Sequence, residues 1–585
     1  MDLVTDSRAL MIIGQLLDTK SSVKPILDQV AQKPKFTPAP MQKAFPRATP
    51  ESQGVSSQRI ADFLNAMRDD ATLDMHGVIV IKNGKVISEA TFGAYDQSYW
   101  HVTHSECKSI TGLAVGMLIG EGKMSLDDRI VDVFAGRVSK INQLTHRNMT
   151  IRHLLTMTSG VTFNEAGSVT EKDWVKCFLE SAVLKEPGST FNYNSMNTYM
   201  LGAAIRQVTG QGLVDYLKPR LFEPLGITNF FWETCPMGTE KGGWGLYILP
   251  EDIAKIGWMV MEGGRFEGRQ IVPEEWIAAQ TAKQAEPPKN LGNYDYGYQT
   301  WVGRNETAFL FNGMFGQNVL GFPESGYLLV SNAGNNELFQ QSAYYEIATR
   351  YFAKPDEGHI SISLSGVNAL ANAKKRLKID LFQPQTALFG DLLSQKAKLD
   401  YREIIKRLEG KVYFVREDKR ASSVGLLPLY AQTLQNNFTR GLRSISFHNR
   451  NGKLEMMIDE IDERHTLLIG LDAPEYTDVT VHGECHRVGV SGRFSTDEAG
   501  MATLLIRVSF LEIANARIIR LRFFDDRVET LWKEYPGKGY INDAYNEIKG
   551  QSTFLESIFA RTDDELLQFR MGRVLEPRVV LQLQK

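Results

Sequence analysis

The sequence predicts an α+β fold followed by an all-β, barrel-like C-terminal domain. Three observations carry that prediction. Strand patterns stand at both ends of the first 355 residues with helical patterns between them, so one antiparallel sheet must draw its strands from distant parts of the chain. Asn83-Gly84 and Asn451-Gly452 each sit between alternating apolar runs, the signal of a tight hairpin in both halves. Beyond about residue 405 helical periodicity gives way to short strands in series, the pattern of a small barrel or sandwich.

A chain of 585 residues is too long for one hydrophobic core and divides into two or three domains. Residues 1–50 read as a short amphipathic helix and then a proline-rich surface arm (Pro34, Pro38, Pro40, Pro46, Pro50). Residues 51–355 form the α+β unit. Its pattern predicts a helix over Gln58 to Arg68 and a hairpin of Val78 to Lys82 with Val86 to Ala90. Further helices follow over Ser109 to Gly122, Thr150 to Ser159 and Met196 to Gly210, the last two stopped by glycine. Another helix spans Asp252 to Met261 and ends at Gly263-Gly264. Strands return at Tyr296 to Val302, Ala308 to Phe311, Gly316 to Gly321 and Tyr327 to Ser331, and a helix from Leu338 to Phe352 closes the unit. Residues 356–405 read as linker with helices. In residues 406–585 the predicted strands are Ser444 to His448, Lys453 to Ile458, Thr466 to Leu471, Val488 to Phe494, Ala502 to Phe510, Ile518 to Phe524 and Val528 to Leu531.

A hydrophobic content of 43% with 23% charged residues is that of an ordinary soluble globular protein. The net charge of −3 argues against a nucleic-acid partner. Cys107, Cys177, Cys235 and Cys485 are scattered and include no C-x-x-C pair, which fits a reducing compartment better than a disulfide framework. Asp2 and Asp6 give the N-terminus the wrong charge for a signal peptide, and no apolar run approaches the ~18 residues of a membrane span. The expectation is a cytoplasmic protein without membrane contact.

The chemistry begins at Ser105-Glu106-Cys107-Lys108. On a helix, residues three apart share one face, roughly 5–6 Å apart at Cβ. A serine hydroxyl needs a base within hydrogen-bond reach. A lysine can be that base once its amine is neutral. Two later segments are chemically suggestive. In Phe191-Asn192-Tyr193-Asn194-Ser195, a tyrosine and a serine two residues apart can reach one site from a bend. Asn312-Gly313-Met314-Phe315-Gly316-Gln317 is a glycine-bracketed entry to a strand, where a ligand can approach the backbone closely.

With these segments in hand, the chain resembles the serine β-lactamase and penicillin-binding-protein superfamily. The resemblance is nearest to its class C β-lactamase-like esterases, D-aminopeptidases and 6-aminohexanoate-dimer hydrolases. It covers roughly residues 51 to 355. It rests on Ser105 to Ser109 running into Leu113-Ala114-Val115-Gly116, on Glu121 to Asp128, on Ile151 to Gly160, on Tyr199-Met200-Leu201-Gly202 and on Pro224-Leu225-Gly226-Ile227. It implies a β-lactamase-like domain, an antiparallel sheet flanked by helices, ahead of the all-β domain. It also implies roles. Ser105 would be the acylated nucleophile and Lys108 would accept or relay its proton, although the acylation base is disputed in that superfamily. Tyr193 would act with Lys108 as base and then protonate the leaving group. Ser195 stands where many members carry asparagine. The strand motif, usually Lys or His, any residue, then Gly, reads Met314-Phe315-Gly316 here. The backbone N–H groups of Ser105 and Gln317 would form the oxyanion hole, with Asn312, Met314, Phe315 and Gly316 along the substrate. Methionine cannot hold a substrate carboxylate as the family's cation does, which argues against penicillin as the natural substrate.

Each residue also has a plainer role. Ser105 could simply cap a helix, Tyr193 could be a core aromatic, Ser195 could cap the helix after it and Gly316 could mark a bulge. His101, His104 and Cys107, and again His482, Cys485 and His486, carry zinc-type side chains, but neither set offers four matched ligands. Asp127-Asp128 reads as a solvated turn, and Lys374-Lys375-Arg376 as an exposed helix face or linker. The reading is a serine hydrolase of a small-molecule ester or amide, with no cofactor and no metal. The alternative is a catalytically silent relative that binds a ligand or partner, and zinc-dependent hydrolysis is a weaker third option. Substrate and oligomeric state, a homo-oligomer included, are not legible in the sequence.

Overall fold

The computed structural model describes residues 31–305, 307–337, 342–356, 360–379, 401–416, 424–537 and 572–584, with scattered positions before residue 31 and at Arg570. The amphipathic helix expected at the N-terminus lies almost wholly outside the described residues, as do residues 338–341 at the start of the helix expected from Leu338.

Strands β1 (Met75–Lys82) and β2 (Lys85–Thr91) form the hairpin turned by Asn83-Gly84. Three short strands, β3 (His101–Val102), β4 (Phe230–Trp232) and β5 (Leu246–Ile248), make a small sheet in the order β3-β5-β4. A two-stranded ladder pairs β6 (Arg265–Phe266) with β7 (Arg269–Gln270). The main sheet resumes with β8 (Tyr294–Tyr296), β9 (Trp301–Gly303), β10 (Phe309–Gly313), β11 (Gln317–Phe322) and β12 (Tyr327–Ala333). Its order is β2-β1-β12-β11-β10-β9-β8, antiparallel throughout, so both chain-distant halves meet where β1 pairs with β12.

Every residue of β1 is buried, because helices cover both faces of the sheet. Ile79 and Ile81 join one apolar cluster with Ile110, Leu113 and Ala114 of the helix Lys108–Gly120. Val78 and Val80, pointing the other way, join a second with Phe63 and Leu64 of the helix Ser57–Asp69 and Ile347 of the helix Ala343–Phe352. The helix Leu364–Ile379 adds Leu370, Ala373 and Leu377 to that second layer.

Two expected elements are corrected. The single strand over Tyr296 to Val302 is two strands, β8 and β9, joined by a turn in which Gln299 has φ of +61°. The helix over Thr150 to Ser159 covers only Ile151–Leu155. One residue explains both. The buried Gln299 amide donates to the carbonyls of Leu154 (2.9 Å) and Leu155 (3.1 Å), ending the helix and holding the turn.

In the second half, β13 (Val412–Val415) is followed by β14 (Leu442–Arg450), β15 (Lys453–Glu460), β16 (Arg464–Ile469), β17 (Glu475–Val481), β18 (Glu484–Thr496), β19 (Ala502–Phe510), β20 (Ala516–Phe523), β21 (Arg527–Tyr535) and β22 (Arg578–Leu583). They form one sheet in the order β16-β15-β14-β13-β22-β21-β20-β19-β18-β17. Its ends nearly close on each other: Gly470 after β16 accepts from Gly492 (2.7 Å) and donates to Val490 (3.1 Å) of β18. The result is a nearly closed antiparallel barrel around Phe447, Phe510, Trp532 and their neighbours.

The barrel is fused to the first unit. Trp100, Val102, Tyr247 and Leu249, all on or beside the small sheet, belong to the barrel's apolar cluster. The proline-rich arm is pinned rather than draped: buried Lys33 pairs with Glu512 of the barrel at 2.7 Å. Among the described residues no helix is long and apolar enough to cross a membrane.

Candidate active site

Ser105 lies in a one-turn 3-10 helix, His104–Cys107, that runs directly into the helix Lys108–Gly120. The approach is tightly held. Val102 N–H donates to the Glu512 carbonyl (2.9 Å) and Thr103 N–H to the Leu246 carbonyl (2.8 Å), and His104 turns the chain at φ of +47°. Ser105 and Lys108 are 6% and 1% exposed, so neither is an ordinary surface residue. Lys108 Nζ lies 2.7 Å from Ser105 Oγ and donates to the Gly243 carbonyl at 2.8 Å. It also lies 5.0 Å from the centroid of the Tyr193 ring.

Tyr193 comes from the bend before the helix Ser195–Thr209. Its ring stacks on Trp301 with centroids 5.5 Å apart and meets Tyr296 edge-on at 6.3 Å. The helix cap is Asn194, whose Oδ1 accepts from Met196 N–H at 2.9 Å, so Ser195 is not the cap. Ser195 N–H donates to Glu165 Oε1 at 2.6 Å. Its Cβ lies against Gly243, where an added Cβ would meet it at 3.3 Å, so Ser195 adjoins the carbonyl that binds Lys108.

The third segment arrives on the β10–β11 turn, with Gly313 opposite Gln317 in the ladder and buried Asn312 opposite Asn318. A Cβ on Gly313 would fall 2.2 Å from the Thr103 carbonyl oxygen and 3.1 Å from Glu106 N. Only glycine lets this strand end touch the serine turn. Phe315 holds φ of +66°, fixed by Phe315 N–H to the Glu337 carbonyl (3.2 Å) and Asn335 N–H to the Phe315 carbonyl (3.0 Å). Gly316 has φ of +90° and would clash with Asn335 Nδ2 at 2.5 Å if it carried a Cβ. The Gln317 side chain is buried and donates to the Ala333 carbonyl at 2.7 Å. Half-buried Met314 meets Tyr430 from the helix Leu429–Gln435, whose hydroxyl donates to Met314 Sδ at 3.3 Å. The Tyr430 ring is also edge-on to Phe315, centroids 5.0 Å apart.

His104, Glu106 and Cys107, which flank Ser105 in the chain, are neutral near pH 7. Burial, with help from His101 and Lys108, pushes the His104 imidazole down to about 3. Burial lifts the Glu106 carboxyl well above the usual carboxylate range and the Cys107 thiol to about 12.

Ser105, Lys108, Tyr193 and the 312–317 segment are therefore gathered in one place. Sequence reasoning missed Gly243, Glu165 and Tyr430. The run Lys241-Gly242-Gly243-Trp244-Gly245 was a usable signal for the first, since paired glycines mark close backbone approach. In the first zinc-type set, His101 bonds His76 (3.1 Å) and the Val102 carbonyl (3.0 Å), and Cys107 Sγ donates to the His104 carbonyl; in the second, His482 bonds Asn437 and Asp462. Among the described residues no three His, Cys, Asp or Glu side chains are grouped to hold a metal ion. Asp128 accepts from Ser125 N–H and Asp127 from Arg152, as in a closed turn.

The sequence around this site is similar to that of known proteins. The family model described as Beta-lactamase matches residues 65–348. Protein flp of Staphylococcus aureus (strain COL) is 29% identical over 170 residues, 26% of this chain and 33% of that protein. The putative penicillin-binding protein PbpX of Bacillus subtilis (strain 168) is 24% identical over 179 residues, 30% of this chain and 44% of that protein. The chain thus spans only a third to under a half of the length of these relatives. Among solved structures, the putative 6-aminohexanoate-dimer hydrolase from Bacillus anthracis aligns with a TM-score of 0.42 and 19% identity, covering 56% of this chain and 89% of that one. Residues 65–348, just under half of the chain, thus match the Beta-lactamase family model.

Proposed function

We propose that the protein is a serine hydrolase that cleaves an ester or amide through an acyl-enzyme on Ser105. The observation that carries this reading is the 2.7 Å approach of Lys108 Nζ to Ser105 Oγ with both side chains buried. The substrate carbonyl oxygen lies between the backbone N–H groups of Ser105 and Gln317. As Oγ bonds to the carbonyl carbon, its proton passes to neutral Lys108 Nζ, assisted by Tyr193. The tetrahedral oxyanion is held by the two N–H groups, each worth ~2.7–4 kcal/mol of barrier. The Tyr193 hydroxyl then gives a proton to the leaving alkoxide or amine as the C–O or C–N bond breaks. Water attacks the Ser105 ester, its proton returns through the same pair, and the acid departs with the serine restored. Ser195, Asn312, Met314, Phe315 and Gly316 border the substrate.

The test is covalent. A fluorophosphonate probe adds its mass to Ser105 in the wild type and not in Ser105→Ala, and the variant loses hydrolysis of a chromogenic ester. Equal cleavage by both proteins overturns the assignment. The methionine at position 314 also motivates a catalytically silent binding protein, which predicts no added mass on Ser105.

A further inference from the structure

The C-terminal barrel unit reaches the candidate site through the Tyr430 side chain. Tyr430 stands on the short helix Leu429–Gln435, whose first two N–H groups donate to buried Glu534 of β21 (2.7 Å from Leu429, 3.3 Å from Tyr430). Glu534 is itself paired with Arg517 at 3.2 Å, so the helix is tied to the barrel wall at its root. From there the Tyr430 hydroxyl meets Met314 Sδ and its ring packs edge-on to Phe315. Met314 and Tyr430 both pack on the apolar cluster that contains Tyr193, Phe315 and Trp301. Both are half-buried, so each keeps a face open to solvent.

Resting on the hydrolase reading above, we propose that Tyr430 is a specificity-determining residue. With Met314 and Phe315 it forms an apolar, neutral wall beside the scissile bond, and it fits the enzyme to esters or amides whose flanking group carries no carboxylate. The physical argument is one of desolvation. A thioether and a phenol edge, backed by the buried Phe315 ring, offer dispersion contact and one hydroxyl, and no cation. The neighbouring His104, neutral at pH 7, supplies none either. An anionic substituent there would lose its hydration without gaining an ion pair. An aryl or alkyl group would gain buried apolar area.

The experiment uses the full chain and matched aryl esters, neutral and carboxylate-bearing. The carboxylate is placed on the acyl chain in one pair and on the phenol in the other. Expected for the wild type is a kcat/KM at least about tenfold higher for the neutral member of one pair. Tyr430→Ala shrinks that ratio severalfold, with the loss falling on KM, and Tyr430→Phe recovers most of it. Met314→Lys narrows or reverses the ratio by raising turnover of the anionic ester, and it reads the same wall if Tyr430→Ala does not fold. A wild-type ratio near one in both pairs, or Tyr430→Ala slowing both members equally, overturns the wall. Mass added at Ser105 by either ester tests the hydrolase reading separately, so a labelled serine with no discrimination rejects the wall alone.

Discussion

Arg507 of the barrel strand β19 grips Asp74, just ahead of β1, with one guanidinium nitrogen 2.6 and 2.9 Å from the two carboxylate oxygens. Both side chains are nearly sealed from solvent, 10% and 8% exposed. Asp74 N–H in turn donates to Asn335 Oδ1, and Asn335 N–H holds the Phe315 carbonyl. The pair links the barrel to the strand turn of the candidate site.

Removing one partner leaves a buried charge uncompensated. Arg507→Met is expected to destabilise by about 3–5 kcal/mol, read as a clear fall in thermal midpoint. Arg507→Met with Asp74→Asn should cost less than the two single changes summed. Additive losses would mean that the ion pair contributes nothing of its own.

Lys108 is expected to be replaceable by no other cation. Lys108→Arg keeps charge and reach, but a guanidinium does not give up its proton. Both Lys108→Arg and Lys108→Met should lower kcat for a chromogenic ester by at least roughly 1000-fold. Near-normal turnover by Lys108→Arg would remove the lysine from the role of base.

Gly313→Ala tests the contact between strand and serine turn. The new Cβ would sit 2.2 Å from the Thr103 carbonyl oxygen, a backbone atom that cannot swing away. The expected cost is about 1–3 kcal/mol of stability, with ester hydrolysis lost more steeply than folding, because the displaced turn carries Ser105. Full activity in Gly313→Ala would show that this approach is not needed.

Burial pushes the Glu337 carboxyl up to about 7, even though Ser342 Oγ donates to it at 2.8 Å. The folded state therefore holds this proton where the unfolded chain releases it, and stability falls as pH rises from about 4.5 to about 7. The gap between 4.5 and about 7 corresponds to roughly 3 kcal/mol. His101 and His104, pushed down to about 4 and about 3, slope the other way, losing stability as pH falls below 6.5. The informative quantity is thus the difference between wild type and Glu337→Gln. Glu337→Gln should gain relative stability with rising pH across that window in thermal melts, and parallel profiles would reject the assignment.

The parts of the fold that were legible in the sequence are those fixed by local chemistry. Asn83-Gly84 and Asn451-Gly452 set hairpins because few other residues adopt that turn cheaply, and each of the seven expected barrel strands falls on a strand of the sheet. β3 was invisible because two residues carry no periodicity, and β17 because only two of its seven residues are buried. Gln299 ended a helix more than a hundred residues away, which no window along the chain can see. The candidate site divides in the same way. Ser105 and Lys108 announce themselves by spacing, Tyr193 and Gly316 through family resemblance. Gly243 and Tyr430 enter only through tertiary contact, and Tyr430 comes from the other half of the chain.

The sharing of Trp100, Val102, Tyr247 and Leu249 with the barrel's interior bears on any attempt to trim the molecule. A version cut before the barrel would present four large apolar side chains bare to water and leave Asp74 without its guanidinium. Such a fragment is expected to be recovered from expression as aggregate rather than as a slower catalyst. The smallest folding unit carrying the serine is expected to include the barrel.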